Sequence, residues 1–315
     1  MLDVRRLRVL REVAAQGSFS AAAQTLAYTQ SAVSQQIAAL EREAGARLVE
    51  REARGVRLTD AGRTLVEHTD VILARLADAE AELEALAGLR GGRLRLVSLP
   101  SVGATVMPPA IARFRERHPG VELTLALAEP REAESGLRAG DYDIALTIQP
   151  PAAMCPPEDD GLDRLHLLDD PMHLLLPATH PLAGVSRPRL ADLADDPWLI
   201  GEPGAAQCPD VTLLLRTCQA AGFEPRIALH SDDYLAIQGF VAAGVGVSLI
   251  PDLALVSVRD DVVVRLLEPE PPVRRVQAAT LRGGWRSPAA TAMLDLLVEV
   301  GGAFERSRRT LALAA

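Results

Sequence analysis

The stretch that decides the fold runs GSFSAAAQTLAYTQSAVSQQIAALEREAGARLVERE from Gly17 to Glu52, and GVRLTDAG from Gly55 to Gly62 completes it. It predicts a short helix over Ala21–Leu26, capped by Ser20, and a longer helix over Gln30–Ala44. A three-residue turn separates the two. Small alanines allow the helices to approach closely, so the pattern predicts a helix-turn-helix.

The flanking residues complete a small domain around this motif. Residues 3–15 are apolar at helical spacing and predict an amphipathic helix that Gly17 ends. Leu48–Arg51 and Val56–Leu58 predict two short strands around Arg54. This hairpin is interpreted as a wing.

A long helix follows, from Thr59 as N-cap to about Leu89. Apolar residues recur along it at alternating steps of four and three, which is typical of a coiled coil. The alternative is a helix packed on its own domain, but a seam of more than three heptads favours dimerisation. The predicted dimerisation residues are Leu65, Ile72, Leu76, Leu83 and Leu86.

After Gly92 strands and helices alternate, which predicts an α/β domain with a mostly parallel sheet. The proline-rich and acidic stretches Pro150–Asp160 and Pro269–Pro272 are interpreted as crossings between two lobes. Two α/β lobes joined by two crossings enclose a cleft. The predicted elements are strands at 93–99, 121–128, 143–148, 172–177, 226–230, 247–251 and 276–281, and helices at 105–117, 132–139, 210–221, 235–243 and 288–304.

Composition narrows the class of protein. The chain has 315 residues, 48% of them hydrophobic, which is enough for two or three packed domains. Its apolar runs are too short for a membrane span, and its start does not resemble a signal peptide, so we expect a cytoplasmic protein. Three cysteines without a CxxC pair and six scattered histidines predict no metal and no cofactor.

The charge distribution answers an apparent objection to DNA binding. The net charge is −9, whereas phosphate contacts need cations. Residues 1–60, however, carry nine arginines against seven acidic residues, so the excess acid lies in the remainder of the chain. The N-terminal part is therefore the least acidic.

The quoted stretch resembles the DNA-binding signature of the LysR-type transcriptional regulators. Later segments resemble that family's periplasmic-binding-protein-like sensor domain, among them LPSVGATVMPPAIARFRERHPGVEL, LRAGDYDIAL and VAAGVGVSLIP. The departures are small: Val49 stands where Phe is frequent, and Gln35 where Arg is frequent. The resemblance implies a winged helix-turn-helix over residues 1–58, a linker helix over 59–90 and an effector domain over 91–305, with one lobe at about 91–160 and 270–305 and the other at about 161–269.

The second helix of a helix-turn-helix enters the major groove, so its N-terminal residues are the candidates for reading bases in double-stranded promoter DNA. Gln suits adenine and Ser suits either base type. The alternative is a merely solvated polar face. With the wing arginine, the candidates are Thr29, Gln30, Ser31, Ser34, Gln35 and Arg54, and Arg5 and Arg51 are weaker candidates for phosphate.

The resemblance implies a small-molecule effector between the lobes. Loops that precede helices suit an anionic or polar ligand. For Ser101 and Ser231 the alternative is a plain helix cap. The candidate effector residues are Pro100, Ser101, Val102, Thr147, Gln149, Gly201, Pro203, Ser231 and Asp232. The resemblance also implies a homodimer, a homotetramer and contact with RNA polymerase.

Two other functions stay open at the level of sequence. Cys218 occupies a helix position that resembles one of the reactive cysteines of the peroxide-sensing OxyR branch, and Cys208 lies ten residues earlier, so a thiol redox switch is one alternative. A Rossmann-like enzyme is the other, but Gly244-Val245-Gly246 lacks the third glycine and precedes a strand. We expect no enzymatic activity.

Overall fold

The computed structural model describes residues 1–52, 55–86, 92–149, 160–201, 209–284 and 286–314. Each region predicted to be helical or extended has its counterpart here, in an N-terminal three-helix domain with a hairpin and a two-lobed α/β domain. None of the helices among these residues combines the length and apolar character that a membrane crossing needs.

The N-terminal domain packs three helices around one apolar core. Leu7, Leu10, Val33, Ile37 and Leu40 are buried together in it. Ser18, and not Ser20 as expected, caps the second helix, because its hydroxyl accepts a hydrogen bond from the Ala21 N–H (3.4 Å). The elements are α1 (Val4–Gln16), α2 (Phe19–Thr25) and α3 (Gln30–Ala44), followed by β1 (Val49–Glu52), β2 (Gly55–Leu58) and α4 (Asp60–Leu86).

The hairpin of β1 and β2 is held by close backbone approaches. The Val56 N–H donates to the Gly17 carbonyl (2.9 Å), and the Thr59 N–H donates to the Leu48 carbonyl (3.0 Å). Thr59 also caps α4 through its hydroxyl, as expected, by accepting from the Gly62 N–H (3.0 Å). A Cβ at Gly62 would overlap the Leu48 carbonyl oxygen. Glycine at this position lets α4 start directly against the hairpin.

The first lobe is built on the predicted βαβαβ unit. β3 pairs in parallel with β4 and β5, but β11 adds to β5 in the antiparallel direction. The sheet is therefore mixed, and not mostly parallel as expected. The expected helix at 105–117 begins earlier and is interrupted at Val106, because Pro108 and Pro109 cannot donate backbone hydrogen bonds. The elements are β3 (Arg93–Ser98), α5 (Pro100–Thr105), α6 (Met107–Arg117), β4 (Glu122–Leu127), α7 (Pro130–Arg138), β5 (Ile144–Ile148), β11 (Val273–Leu281) and α10 (Pro288–Ala314).

The second lobe has its own core around Trp198, Leu174 and Cys218. Its β7 and β8 pair in parallel, and a bridge from Trp198 to Val247 joins them to the segment before β9. The elements are β7 (Pro197–Ile200), α8 (Pro209–Ala220), β8 (Arg226–His230), α9 (Tyr234–Ala242), β9 (Ser248–Pro251) and β10 (Val262–Arg265).

One long strand, β6 (Leu162–Pro177), belongs to both lobes. Residues 162–171 pair with β11 in the first lobe, and residues 172–177 pair with β9 and β10 in the second. The chain therefore changes lobes at Pro171 within a strand, and not where the expected lobe bounds put it, at about residue 161. The expected crossing at 150–160 lies almost entirely outside the described residues.

The N-terminal domain and α4 contact the first lobe. Arg11 on α1 donates to the Ala139 carbonyl (3.1 Å) and pairs with Asp141 (3.2 Å). Arg75 on α4 donates to the Gly283 carbonyl (2.7 Å). Burial, the first cause, and the nearby negative charge of Asp141 raise the pKa of Asp70, although Arg11 acts in the opposite direction. These contacts link the two domains mechanically.

The Gly62 contact gives a test of how the hairpin is held. We expect Gly62→Ala to lower the free energy of unfolding of the N-terminal domain by about 1–3 kcal/mol, because the added methyl group overlaps backbone that cannot move freely. Gly239 is the matched control: it also lies within a helix, but a Cβ there meets no atom within 4 Å. Gly239→Ala should be neutral or stabilising by up to about 1 kcal/mol. Hydrogen exchange of amides in residues 1–62 measures the effect, and equal protection in both variants would contradict it.

Candidate DNA-binding and effector sites

The N-terminus of α3 presents a polar face. Thr29 caps the helix, with its hydroxyl accepting from the Ala32 N–H (3.2 Å) and lying 3.0 Å from the Ser31 hydroxyl. Gln30 and Gln35 are exposed, whereas Ser34 is half-buried. Because Val33, Ile37 and Leu40 face the core on the opposite side, the five predicted residues lie on or beside one accessible face.

Side chains from α1 and α3 fix the orientation of this face. Arg6 on α1 donates to the Gln36 side-chain oxygen (3.2 Å) and forms an ion pair with Glu43. Glu41 accepts the backbone N–H groups of Leu48 (2.9 Å) and Val49 (3.3 Å). The recognition helix and the hairpin are thus held at a fixed angle to each other.

The predicted wing-tip residue Arg54 lies outside the described residues, and so does the side chain of Arg51. The described part of the hairpin carries an ion pair between Arg57 and Glu50 (2.7 Å). Arg5 is exposed on α1. Arg5, a weaker candidate for phosphate contact, therefore lies on the surface. Arg54, the stronger candidate, is outside the described residues.

The predicted seam on α4 divides into two parts. Leu65 packs against the core of its own domain, as the alternative for this helix anticipated. Ile72, Leu76 and Leu83 are 37%, 38% and 67% exposed, which is unusual for large apolar side chains on one helix. The side chain of Leu86 is outside the described set. Beyond about residue 70, α4 therefore carries an apolar face, formed by Ile72, Leu76 and Leu83, that is exposed to solvent in the single chain.

A cleft lies between the two lobes, as the two-lobed fold implies. Its empty volume, which includes the open mouth, is about 660 Å³. Apolar walls and a few polar groups line it. The lining residues are Leu99, Pro100, Ser101, Glu129, Ile148, Ile200, Gly201, Asp210, Val211, Leu214, Ser231, Asp232, Tyr234, Ile237, Ser248, Leu249 and Arg274.

Arg274 lies at the floor of this cleft and bonds to both lobes. Its guanidinium donates to Asp170 (2.7 Å), to Asp210 (2.8 Å) and to the Ser101 hydroxyl (2.6 Å). Tyr234 donates its own hydroxyl hydrogen to the same Asp210 oxygen (2.8 Å). The Arg274 and Asp170 side chains are only 2% and 1% exposed. This network joins α5 of the first lobe to α8 and α9 of the second.

Five of the nine predicted effector residues line the cleft: Pro100, Ser101, Gly201, Ser231 and Asp232. Three others do not line the cleft that the described residues form. Val102 is buried in the core of the first lobe, the Thr147 hydroxyl faces Glu134 (3.5 Å), and Gln149 is exposed beyond the end of β5. Pro203 lies outside the described residues.

Sequence reasoning missed Arg274, Asp210, Glu129 and Tyr234 as cleft residues. The expected strand began at Val276, after the arginine, whereas β11 begins at Val273, and only its first four residues alternate between exposed and buried. Arg274 is buried whereas the adjacent Arg275 is exposed, and the sequence alone does not distinguish these two arginines.

Electrostatics also change the expected ligand chemistry. The N-terminus of α9, which was expected to suit an anion, is already capped by Asp233, whose side chain accepts from the Leu235 and Ala236 N–H groups. Burial, together with the charges of Asp232 and Asp210, raises the pKa of Glu129. An anion bound on this side of the cleft would meet these carboxylates. Among the described residues, the His, Cys, Asp and Glu side chains form no grouping that could hold a metal ion.

Cys218 lies in the core of the second lobe and is fully buried. Burial raises the pKa of its thiol to about 12. Because the thiolate is the reactive form, this environment suppresses its reactivity. Cys208 and Cys155 lie outside the described residues.

A winged helix-turn-helix joined through a long helix to a two-lobed α/β domain with an interlobe cleft defines a class of protein: transcriptional regulators that bind DNA and a small effector. Two family models match the chain. Residues 4–63 match the bacterial regulatory helix-turn-helix protein, lysR family, and residues 87–302 match the LysR substrate binding domain. The chain belongs to the LysR family of transcriptional regulators.

Relatives along nearly the whole chain support this assignment. The chain is 33% identical over 298 residues to a probable HTH-type transcriptional regulator LrrA of Synechococcus elongatus, covering 94% of this chain and 96% of that protein. It is 32% identical to the HTH-type transcriptional regulator CbbR of Xanthobacter flavus, covering 96% and 89%. It is 35% identical to a probable hydrogen peroxide-inducible genes activator of Mycobacterium avium, covering 79% and 78%.

Solved structures share the fold. A full-length variant of OxyR from Pseudomonas aeruginosa has a TM-score of 0.68 at 23% identity and covers 94% of this chain and 95% of that one. CbnR, a LysR family transcriptional regulator, has a TM-score of 0.64 at 20% identity, with 95% and 99% coverage. The winged helix-turn-helix and the two-lobed effector domain are confirmed.

The environment of Cys218 predicts an inert thiol. A rise of the pKa to about 12 from its usual value of 9.0 lowers the thiolate fraction at neutral pH by about a thousandfold. We therefore expect iodoacetamide to label Cys218 in urea but not in the folded protein, as read by peptide mass spectrometry. After peroxide treatment, a non-reducing mass measurement should show no linkage between residues 208 and 218. Such a linkage would contradict the prediction.

Proposed function

We propose that this regulator reads promoter DNA with the N-terminus of α3 and that a polar small molecule bound between the lobes alters this reading. The exposed face of Thr29, Gln30, Ser31 and Gln35 carries the first part of the proposal. Its residue types suit base edges in A·T-containing half-sites. Ser34 belongs to the same face, and Arg54 is proposed to reach phosphate or the minor groove from the wing.

The rigid support of this face favours base reading over simple solvation. Arg6 and Glu43 tie α1 to α3, and Glu41 ties α3 to the hairpin. A polar face that only needed water would not require such positioning, whereas base contacts depend on a fixed register on the duplex. The small positive charge of residues 1–60 supplies part of the attraction for phosphate.

The effector proposal rests on the interlobe cleft. Pro100 and Ser101 come from one lobe, and Gly201, Ser231 and Asp232 come from the other, so a bound molecule would touch both. A ligand with different affinity for open and closed arrangements shifts the population between them. The contacts of Arg11 and Arg75 with the first lobe then offer a route to the DNA-binding domain.

The apolar face of α4 supports a homodimer, and family membership favours a homotetramer and contact with RNA polymerase. The proposed division is residues 1–58 for DNA, 59–90 for dimerisation and 91–305 for the effector. A regulator of promoters works where the DNA is, so we propose a cytoplasmic location. We propose a purely regulatory protein without enzymatic activity.

Peroxide sensing is not part of the proposal. The Mycobacterium avium relative is named for induction by hydrogen peroxide, but Cys218 here is buried in an apolar core. A redox sensor needs a low-pKa, accessible thiol, which is the opposite environment.

Gln30→Ala tests the recognition face. Using a duplex that the protein selects from a random library, we expect specific affinity to fall by about tenfold to a hundredfold, because one bidentate base contact is worth roughly 1–3 kcal/mol. Binding to a random duplex should change by less than about twofold. Gln219→Ala, at an exposed site on α8, is the matched control. Equal loss on both duplexes would overturn the assignment of Gln30.

A charged residue on the α4 face tests dimerisation. We expect Leu76→Glu combined with Leu83→Glu to convert the dimer to monomer at micromolar concentration, because two carboxylates would be buried in the interface. Val298→Glu, at an apolar position that is 43% exposed on α10, is the control and should leave the assembly unchanged. Light scattering after size exclusion gives the mass. A dimer that survives the double substitution would place the interface elsewhere.

A further inference from the structure

A short turn, Asp252–Ala254, lies between β9 and β10 of the second lobe but is anchored in the first lobe. Both flanking strands pair with residues 172–177 of β6, in the second lobe. Leu253 is nevertheless fully buried in the core of the first lobe, together with residues of α5, α6 and α10. Leu255, two residues later, packs in a core of the second lobe again. At this turn the second lobe is therefore inserted into the first.

The backbone of the turn also bonds to the strand that crosses between the lobes. The Leu253 N–H donates to Asp170 Oδ1 on β6 (3.1 Å), and Asp170 Oδ2 accepts from Arg274 (2.7 Å). One buried carboxylate thus joins the turn to the floor of the cleft. A displacement of the turn would disturb Asp170, and through it the hydrogen bonds that Arg274 makes to both lobes.

The last turns of α10 bring a helix of the first lobe to Asp252. A Cβ at Gly301 would stand 2.9 Å from the Leu167 carbonyl oxygen of β6, so glycine lets the helix lie close against that strand. One helical stretch further on, Arg308 donates to both oxygens of the Asp252 carboxylate, with its Nε to Oδ2 (2.6 Å) and its Nη2 to Oδ1 (2.5 Å). Such a two-point contact is the strong form of an arginine–carboxylate pair.

The surroundings of this pair differ from those of an ordinary surface ion pair. The Asp252 side chain is only 8% exposed. The guanidinium carbon of Arg308 lies 5.9 Å from the centre of the Phe304 ring, which packs against the core of the first lobe. Burial would raise the pKa of Asp252, but the neighbouring His173 and Arg308 outweigh burial and lower this pKa. Asp252 is therefore ionised, and loss of Arg308 would leave a mostly buried charge with less compensation.

We propose that the end of α10 is a latch on the junction of the lobes, in which Arg308, held by the first lobe, fixes Asp252 of the second lobe and resists rearrangement of the two. The pair must stretch or break whenever the turn moves relative to α10. The latch acts without any ligand, so it does not depend on the proposed effector role of the cleft. For a ligand that shifts the lobes, the latch sets part of the free energy that differential binding must supply.

Hydrogen exchange of the full-length protein without ligand, read by peptide mass spectrometry, tests the latch. In Arg308→Gln we expect exchange to rise by about tenfold or more in residues 172–175 and 249–255, where β6 pairs with β9 and the turn follows. Exchange in α3 and α7 should change by less than about twofold. Arg115→Gln, at an exposed site on α6, is the matched control and should leave all of these regions unchanged. A rise confined to residues 301–314, or no rise at all, would overturn the proposal, because the pair would then hold only the end of the helix.

Two further substitutions keep the test decisive if Arg308→Gln also lowers overall stability. Arg308→Lys keeps the positive charge but loses the two-point contact, so it should give the same regional pattern with a smaller rise. Asp252→Asn removes the charge of the other partner. When it is combined with Arg308→Gln, residues 172–175 and 249–255 should exchange no faster than in the faster single variant, because the same pair can be lost only once. A uniform rise along the whole chain in every variant, or additive effects in the double variant, would contradict the latch.

Discussion

Arg274 holds the two lobes in register because its guanidinium bonds to groups from both. Asp170 lies opposite it where β6 passes from one lobe to the other. Ser101 lies in the first turn of α5 in the first lobe, and Asp210 lies in the first turn of α8 in the second. A buried ion pair is stable only when its geometry and remaining hydrogen bonds are satisfied, and losing one partner costs about 3–5 kcal/mol. The Leu253 N–H, which donates to Asp170 (3.1 Å), completes this requirement. The floor of the cleft therefore lies on the strand that connects the two lobes.

The contacts between domains show how a change in the cleft could reach DNA. Ser101 belongs to the first lobe, and that lobe also receives Arg11 from α1 and Arg75 from α4. A shift of the lobes that moved Ala139, Asp141 or Gly283 would pull on both helices. Because α4 carries the open apolar face, the same movement would change how two DNA-binding domains are spaced in a dimer. Coupling of this kind requires a ligand that distinguishes two arrangements.

The N-terminal domain could be predicted from sequence in detail because its signals are local. The bounds of α3, Gln30–Ala44, and the Thr59 cap follow from helix periodicity and hydroxyl caps. The cap of α2 was predicted at Ser20, two residues after the observed cap Ser18, because the two serines are chemically equivalent candidates. The cleft was predicted less well because Arg274 meets Ser101 and Asp210 only through the register of strands far apart in sequence. Pattern and spacing do not encode such register directly.

The central claim is that the cleft and the DNA-binding face are coupled. The most direct test is to measure how binding at each site changes the affinity of the other. The affinity of the full-length protein for its selected duplex is measured with and without the bound cleft ligand, and the ligand affinity is measured with and without the duplex. Thermodynamic linkage requires both affinities to change by the same factor, and we expect a factor of about 5–150 in either direction. A factor of one in both measurements, with each site occupied, would contradict the account.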